Sequence, residues 1–318
     1  MATRDGKKTA FLFPGQGSQF LGMTKGFRDQ DSRAAALMAA AEQASGLPLA
    51  TLCDDGPMAE LTRTLHLQPA MTVANLICYE ALRAAGVEPD YCCGHSLGEY
   101  GALYAGGVLS AEDTLALVTE RGRLMEREAE AHPGAMRAVV KLDIDQVRAI
   151  IDEVKSGVLC VANHNSAQQI VISGEAGPVD EAAALVAERG GKAIPLKVSG
   201  PWHSPLIGGA ILDFAAAMAK VDFRAPQVPI LFNVTADTES DPAAIRDIMA
   251  RQIASPVRWF DTVQRLMAAE VRVFIEVGPK NVLSGLLKKI IPADYAYQCF
   301  QVDSPETLAQ CLAGLAGE

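Results

Sequence analysis

Short apolar runs of strand length alternate with helical patterns along most of this 318-residue chain. The run 9–13 leads directly into the turn formers Pro14 and Gly15, and the run 91–93 leads into Gly94. Parallel strands need a long crossover, usually a helix, between them. The alternation therefore predicts an α/β fold built on a mainly parallel sheet.

The middle of the chain has a different order. It reads as a strand at 136–142, a helix at 144–155, strands at 158–163 and 169–173, a helix at 178–189 and a strand at 193–198. Two helices on one face of a four-stranded antiparallel sheet, the ferredoxin-like arrangement, satisfy this βαββαβ order. We therefore expect a small domain at 132–199, inserted between two parts of a large α/β domain at 1–131 and 200–318.

Capping signals predict the remaining helices. We expect one helix to begin at Pro69, because proline suits the first helical position, and to end at Gly86. Ser110 with Asp113 three residues later resembles a capping box, which begins a helix that runs toward Ala131. After the small domain we expect a helix at 205–220, a strand at 229–234, a helix at 243–252, a strand at 273–277 and a final helix from 281.

The composition excludes several classes of protein. The chain has 28 Lys and Arg against 38 Asp and Glu, a net charge of −10, which argues against a general binder of nucleic acid or anionic membrane. The seven cysteines form no C-x-x-C pair, so we expect no metal site and reduced thiols in the cytoplasm. No apolar run approaches the roughly eighteen residues of a membrane span.

The segment Gly94-His95-Ser96-Leu97-Gly98 fits the G-x-S-x-G pattern of a nucleophile elbow, and it follows an expected strand. The glycines permit a tight turn that exposes the serine hydroxyl and points the following amides toward a developing oxyanion. Ser96 is therefore a candidate nucleophile, with a plain turn as the alternative.

A nucleophilic serine needs a base, and the chain has five histidines. His66 and His132 lie in polar contexts, and His95 adjoins the serine, so its ring should point elsewhere. His164, at the end of a small-domain strand, could line a cleft. His203 lies where the chain returns to the large domain, and sites form preferentially between domains, so we expect His203 to be the base.

The loop 15–20 fails the dinucleotide-binding fingerprint, because Phe20 stands where the third glycine is required. An oxyanion hole in folds of this kind takes one amide from the residue after the nucleophile, here Leu97, and one from a loop at another strand end. Gln16 is the candidate for the second amide, with a simple turn as the alternative.

Arg121 lies in the middle of the apolar face of its expected helix. The residues three and four positions away are Leu117, Val118, Leu124 and Met125. The guanidinium must therefore face inward, where it requires an anionic partner. Either a structural carboxylate or a bound ligand supplies that anion, and the planar fork suits a carboxylate.

Taken together, these motifs resemble the malonyl-CoA:acyl carrier protein transacylases and the acyltransferase domains of polyketide synthases. The resemblance covers nearly the whole chain in the same order. It rests on 13–19, 68–70, 94–99, 121–122, 169–174, 203 and 276–279. It implies a large hydrolase-like α/β domain with an inserted ferredoxin-like domain.

The resemblance also implies roles for single residues. Ser96 becomes the nucleophile and His203 its base. The amides of Gln16 and Leu97 become the oxyanion hole, and Arg121 becomes the clamp for the malonyl carboxylate. The substrates would be malonyl-CoA and an acyl carrier protein with its phosphopantetheine arm, for fatty acid or polyketide synthesis and without a cofactor. We expect the enzyme to act as a monomer.

Other residues follow from the same resemblance. A main-chain carbonyl at Gln252 replaces the usual triad carboxylate and orients the histidine. Trp202 stands where polyketide domains with an aromatic residue use unbranched malonyl, so we expect malonyl rather than methylmalonyl. The carrier is expected to be acidic, and Lys280, Lys288 and Lys289 are candidates for a local patch that binds it.

Two other functions remain open from the sequence. A serine acyl-thioesterase acting on acyl-CoA or acyl-carrier thioesters would share the elbow and the base, but it would not need an inward arginine. A non-catalytic module that binds the carrier would not need the nucleophile and base.

Overall fold

The computed structural model describes residues 6–317, so residues 1–5 and 318, at the ends of the expected outer segments, lie outside the described residues. The strands in this part of the chain are β1 Lys8–Phe13, β2 Tyr91–Gly94, β3 Ala135–Val140, β4 Leu159–Ser166, β5 Gln169–Gly174, β6 Lys192–Pro195, β7 Ile230–Leu231, β8 Val271–Val277 and β9 Gln298–Val302.

The α-helices surround two sheets built from these strands. In chain order they are α1 Lys25–Arg28, α2 Ser32–Ser45, α3 Leu49–Asp54, α4 Met58–Thr62, α5 Thr64–Ala84, α6 Gly98–Ala105, α7 Ala111–Ala131, α8 Ile144–Glu153, α9 Ala176–Glu188, α10 Ala210–Met218, α11 Pro242–Gln252, α12 Trp259–Ala268, α13 Val282–Ile290 and α14 Pro305–Ala316. Over residues 6–317, none of them has both the length and the apolar character needed to cross a membrane.

The larger sheet has the strand order β7-β2-β1-β8-β9, and each neighbouring pair is parallel. The central strand β1 is buried along 9–13, as expected for a parallel strand covered by helices on both faces. Its last residue, Phe13, pairs with Gly94 at the end of β2. The loops that follow β1 and β2 therefore leave the sheet side by side, which places Gln16 near Ser96.

The smaller sheet is antiparallel and has the order β4-β5-β3-β6. This is the ferredoxin-like order, and α8 and α9 pack on it through an apolar cluster that includes Val139, Val147, Ile170 and Val186. In α8, Asp143 and Gln146 form a complete capping box. The predicted fold class, a mainly parallel α/β sheet with a separate antiparallel one, is confirmed.

The predicted start of α5 at Pro69 is wrong. The helix begins at Thr64, and Pro69 lies inside it, where its missing N–H removes one main-chain hydrogen bond. The surrounding turn is deeply buried, with Leu67, Pro69 and Ala70 all inside the core. Tertiary packing thus offsets the local cost of the proline.

Three other predicted elements differ from the structure. The helix expected at 205–220 is a short 3-10 turn, Pro205–Ile207, followed by α10 after two glycines. The strand expected at 229–234 is reduced to β7, because the Phe232 N–H turns to the Asp237 carbonyl. The helix from 281 is not the last element, since β9 and α14 follow α13.

Candidate active site

Ser96 lies on a tight turn between β2 and α6 with φ of 52°, a left-handed conformation that is unfavourable for serine. The turn needs small neighbours. A Cβ on Gly94 would overlap the backbone of Gly98, and a Cβ on Gly98 would overlap the Phe13 carbonyl. The two glycines therefore allow β1, β2 and α6 to meet closely, and this contact supports the strained serine.

The Ser96 hydroxyl is hydrogen-bonded to His203, with 2.7 Å between Oγ and Nε2. The two residues are 107 positions apart, and the chain enters and leaves the small sheet between them. His203 is buried and also has a positive φ, 57°. This is the arrangement required of a nucleophile and its base.

The other ring nitrogen of His203 faces main-chain carbonyls. Nδ1 lies 2.9 Å from the Ser255 oxygen and 3.2 Å from the Gln252 oxygen. Gln252 is the last residue of α11, where carbonyls lack partners within the helix, and Ser255 lies three residues beyond it. A proton on Nδ1 satisfies them and leaves Nε2 free to accept the serine proton. Ser255 was not among the predicted site residues, although the end of a predicted helix was the available signal.

Burial lowers the pKa of His203 to about 3, and the positive charge of Arg121 acts in the same direction. The imidazole is therefore neutral in the resting enzyme, which is the form that can accept a proton. A carbonyl partner cannot be protonated, so the ring orientation does not depend on a third titratable group.

The two predicted oxyanion donors lie near each other. A Cβ on Gly15 would come within 3.6 Å of the Leu97 nitrogen, so the loop that carries Gln16 passes directly beside that amide. The Ser96 N–H is occupied by the Asn233 side chain at 2.7 Å. Within residues 6–317, the N–H groups of Gln16 and Leu97 donate to no protein acceptor. They are therefore available to an oxygen of a bound thioester.

Arg121 is fully buried on α7, and its guanidinium points at the serine. Nη2 lies 3.3 Å from the Ser96 hydroxyl and 3.0 Å from the Gln252 side-chain oxygen. Nη1 lies 2.5 Å from the Gln68 side-chain oxygen and 3.2 Å from the Met125 sulfur. The Tyr100 ring adds a face contact at 5.8 Å.

All these contacts of Arg121 are with neutral groups. In the described part of the chain its hydrogen bonds reach no carboxylate, and its Nε has no partner. Burial lowers its pKa from the usual high value, but arginine remains charged in proteins. The structure therefore shows no direct ion pair for Arg121 in the described residues, where Glu99 acts on its charge with the Gln252 amide between them, and it leaves a buried cation beside the nucleophile.

A cavity of about 110 Å³ opens onto the serine and histidine. Trp202, only 4% exposed, forms part of its wall next to the base. The remaining lining is mostly apolar, from Gln16, His95, Met125, Met136, Asn163, Leu196 and Val198. Residues of both sheets contribute, so the site lies between the two layers, as expected for a small-molecule site.

Several residues that shape the site were missed by the sequence analysis. Asn233 bridges the elbow, Gln68 holds Arg121, and the Asn165 oxygen Oδ1 accepts the Nε2–H of His95 at 2.8 Å. Glu99 lies behind the elbow and contacts no substrate-facing atom directly. For Gln68 the available signal was a polar residue in a strongly apolar helical run.

The other candidates lie elsewhere. The His164 ring packs on Phe260 at 4.8 Å, and His66 bonds to the Glu60 carbonyl, so neither reaches the serine. The carrier patch, defined as Lys280, Lys288 and Lys289, is exposed, but Lys280 lies at the opposite end of α13 from the other two. Lys289 also bonds to Gln169 of the small sheet. Over residues 6–317, no cluster of three metal-ligating side chains is found.

A family model described as an acyl transferase domain matches residues 10–297. This match covers most of the chain and agrees with the elbow, the base and the two-sheet fold described above. The chain therefore belongs to the acyl transferase domain family.

Individual relatives of the chain share one name, malonyl CoA-acyl carrier protein transacylase. The chain is 39% identical over 314 residues to the one from Bacillus subtilis (strain 168), covering 98% of both chains. It is 38% identical to the one from Escherichia coli K12, covering 89% of this chain and 92% of the other.

Solved structures give the same result. The transacylase from Xanthomonas oryzae superposes with a TM-score of 0.92 at 40% identity and covers 97% of this chain and 98% of its own. A malonyl-transacylase solved in complex with a type II polyketide acyl-carrier protein superposes at 0.91, with 34% identity over 96% of this chain and 99% of its own.

Proposed function

We propose that this protein transfers a malonyl group from malonyl-CoA, through an ester on Ser96, to the phosphopantetheine thiol of an acyl carrier protein. The observation that carries the proposal is the Arg121 guanidinium, buried without a carboxylate partner in the described chain and 3.3 Å from the Ser96 hydroxyl. Such a cation requires an anion, and a malonyl group on the serine places its free carboxylate within reach.

In the first step His203 accepts the hydroxyl proton of Ser96 while the oxygen attacks the thioester carbonyl. The negative charge that develops on the carbonyl oxygen is stabilised by the N–H groups of Gln16 and Leu97. Each such donor contributes on the order of 3 kcal/mol to lowering the barrier. The carbon–sulfur bond then breaks, and coenzyme A leaves as a thiol with the proton from His203.

The second step runs the same chemistry in reverse. The carrier thiol gives its proton to His203 and attacks the ester carbonyl, and the Ser96 oxygen leaves and takes the proton back. Arg121 holds the malonyl carboxylate through both steps, so the acyl group stays oriented while the thiol changes.

The wall beside the base limits the acyl group. Trp202 lies against His203 in a small cavity, and an α-methyl group would need space that the indole occupies. We therefore expect a preference for malonyl over methylmalonyl. Comparable turnover of the two thioesters would contradict this role for Trp202.

An acidic carrier is repelled by the overall charge of −10, so it must bind through a local basic region. The carrier patch is the candidate for that region. All seven cysteines are free thiols, five of them buried, which supports a reducing compartment such as the cytoplasm. We expect the enzyme to act as a monomer. Analytical ultracentrifugation at the enzyme concentration used for the kinetics measures its oligomeric state.

The test is to incubate the protein with radiolabelled malonyl-CoA, with and without the phosphopantetheinylated carrier. We expect malonyl-enzyme without carrier and malonyl-carrier with it. Rapid release of free malonate would instead identify the second candidate, an acyl-thioesterase. The inward arginine and the transacylase relatives disfavour that alternative.

A further inference from the structure

Glu99 is a fully buried carboxyl group in the first turn of α6, three residues after Ser96. Its Oε1 accepts the main-chain N–H of Asn233 at 2.8 Å, and its Oε2 accepts the side-chain N–H of Gln252 at 2.8 Å. Burial acts to raise the pKa of Glu99, whereas these two donors and the charge of Arg121 act to lower it. Each oxygen faces a donor and neither faces an acceptor in the described chain, so the contacts favour the ionised carboxylate.

The first contact leads to the nucleophile. Asn233, held by Glu99 through its main chain, spans the elbow with its side chain. Its Oδ1 accepts the Ser96 N–H at 2.7 Å and its Nδ2 donates to the Gly94 carbonyl at 2.7 Å. This bridge restrains the strained turn on both sides of the serine.

The second contact leads to the cation. The Gln252 amide donates from Nε2 to Glu99 and to the Ser96 carbonyl, both at 2.8 Å, and accepts Arg121 Nη2 on its oxygen at 3.0 Å. An amide can be turned over at little steric cost, and its orientation is set by its partners. The Glu99 carboxylate and the Ser96 carbonyl only accept, and Arg121 only donates, so Glu99 helps to hold the nitrogen of Gln252 inward and its oxygen toward Arg121.

We propose that Glu99 is a positioning residue that sets acyl selectivity: by fixing the orientation of the Gln252 amide, it aims Arg121 at the carboxylate of the acyl group. The role rests on the proposed malonyl transfer. It makes the selective cation depend on a carboxyl group that touches neither substrate nor Arg121. The Asn233 contact makes the same residue a support of the elbow.

Glu99→Gln tests this because glutamine offers one oxygen and one NH₂ in place of two acceptors. The Asn233 main-chain N–H cannot turn, so it keeps the oxygen, and the new NH₂ faces Gln252. The Gln252 NH₂ then faces a donor in place of an acceptor, so the amide is displaced from Glu99 and its contact with Arg121 is weakened.

We expect kcat/KM for malonyl-CoA to fall about 10- to 100-fold, mainly through KM, and kcat/KM for acetyl-CoA to fall less than about threefold. The matched control is Glu276→Gln. Glu276 is equally buried and accepts from the backbone of Leu283 and Ser284, outside the site. The control should lower thermal stability by a similar amount and leave the malonyl-to-acetyl ratio unchanged.

A binding measurement supplies a readout without turnover. In a Ser96→Ala background, Glu99→Gln should weaken malonyl-CoA binding in calorimetry about tenfold or more and leave acetyl-CoA binding unchanged. Equal losses for the two thioesters, or no loss for either, would overturn the positioning role. If Glu99→Gln does not fold, Gln252→Met carries the test, since it removes the amide that Glu99 orients, and an equal loss for both thioesters there has the same consequence.

These outcomes separate the two proposals. A wild-type protein that forms no malonyl-enzyme would refute the proposed function whatever the variants do. A wild-type protein that does form it, with an unaltered malonyl-to-acetyl ratio in Glu99→Gln, would refute the positioning role alone.

Discussion

The two ends of the active site, the Ser96–His203 pair and the Arg121 guanidinium, are built in opposite ways. At one end Ser96 and His203 are joined by a direct 2.7 Å hydrogen bond, and the histidine is neutral and oriented by main-chain carbonyls. At the other end Arg121 is charged, fully buried and held only by neutral acceptors such as Gln68 and Gln252.

This difference separates chemistry from selection. A neutral pair needs no counter-charge, so it can act on any acyl group that reaches the serine. A buried cation with no carboxylate in direct contact is costly, and an acyl group that brings its own carboxylate reduces that cost. Mutations at the first end should therefore affect all acyl groups alike, and those at the second end should affect carboxylated ones.

The largest effect is expected at the serine. Ser96→Ala should abolish the covalent malonyl-enzyme and the acetyl-enzyme together, because no other described residue is placed to form the ester. Radiolabelled acyl-enzyme isolated after rapid quenching measures this. Normal labelling in the variant would show that Ser96 does not form the ester. The contrast between the two ends of the site would then fail.

Arg121→Ala should affect malonyl transfer much more than acetyl transfer. Loss of the buried guanidinium should reduce malonyl transfer on the order of 100-fold, whereas acetyl transfer should fall less than about tenfold. Steady-state kinetics with both thioesters provide the ratio. Arg123→Ala is the control on the same helix, since its side chain is largely exposed and pairs with Glu120. Equal losses for both thioesters would make Arg121 a structural residue.

A smaller effect is expected away from both ends. In Lys288→Glu, Lys289→Glu, transfer to the carrier should weaken about five- to tenfold, while acylation by malonyl-CoA stays unchanged, because exposed charges act mainly on association. Lys155→Glu, Lys220→Glu carries the same charge change at two exposed lysines outside the carrier patch. If both doubles behave alike, the patch has no specific role.

The smallest effect concerns pH. With a pKa of about 3 the base stays unprotonated at pH 5, so kcat/KM for acylation should change less than about twofold between pH 7 and 5. A histidine at the ordinary value of about 6.5 would instead lose roughly 30-fold at pH 5. Stopped-flow acylation measures the profile.

The stability of the folded protein sets the lowest pH at which this profile can be measured. The pKa of His203 is lower in the folded protein than in the unfolded chain, so the unfolded chain binds its proton first. The contribution of this residue to stability is therefore present above about pH 6.5 and is lost progressively as the pH falls toward 3. Circular dichroism at each pH distinguishes unfolding from protonation of the base. A roughly 30-fold fall in kcat/KM at pH 5 with an intact fold would contradict the neutral buried histidine.

Local patterns were sufficient for much of the fold. The alternation of apolar runs and helices predicted the parallel sheet, and the order of elements at 136–198 predicted the antiparallel one, because both follow from short-range periodicity. The predicted start of α5 at Pro69 failed where packing outweighed a local preference. The strand expected at 229–234 was overestimated because the Phe232 N–H bonds to the Asp237 carbonyl and the Asn233 side chain bonds to the elbow.

Within the site, the same division holds. The elbow around Ser96 is a local turn, so five consecutive residues were enough to predict it. The apolar face of α7 by itself required Arg121 to point inward. The partners of these groups come from far away: His203 is 107 residues from the serine, and Gln252 lies 153 residues from Glu99.

The sequence by itself determined the two kinds of sheet, the turn that presents the serine and the inward cation, since each depends on neighbours within a few residues. Only the tertiary structure decided what surrounds them: that Arg121 meets amides instead of a carboxylate in the described chain, that Ser255 shares the orientation of His203, and that Glu99 stands behind both ends. Hydrogen bonds between distant segments depend on how the layers pack, and no local pattern encodes that packing.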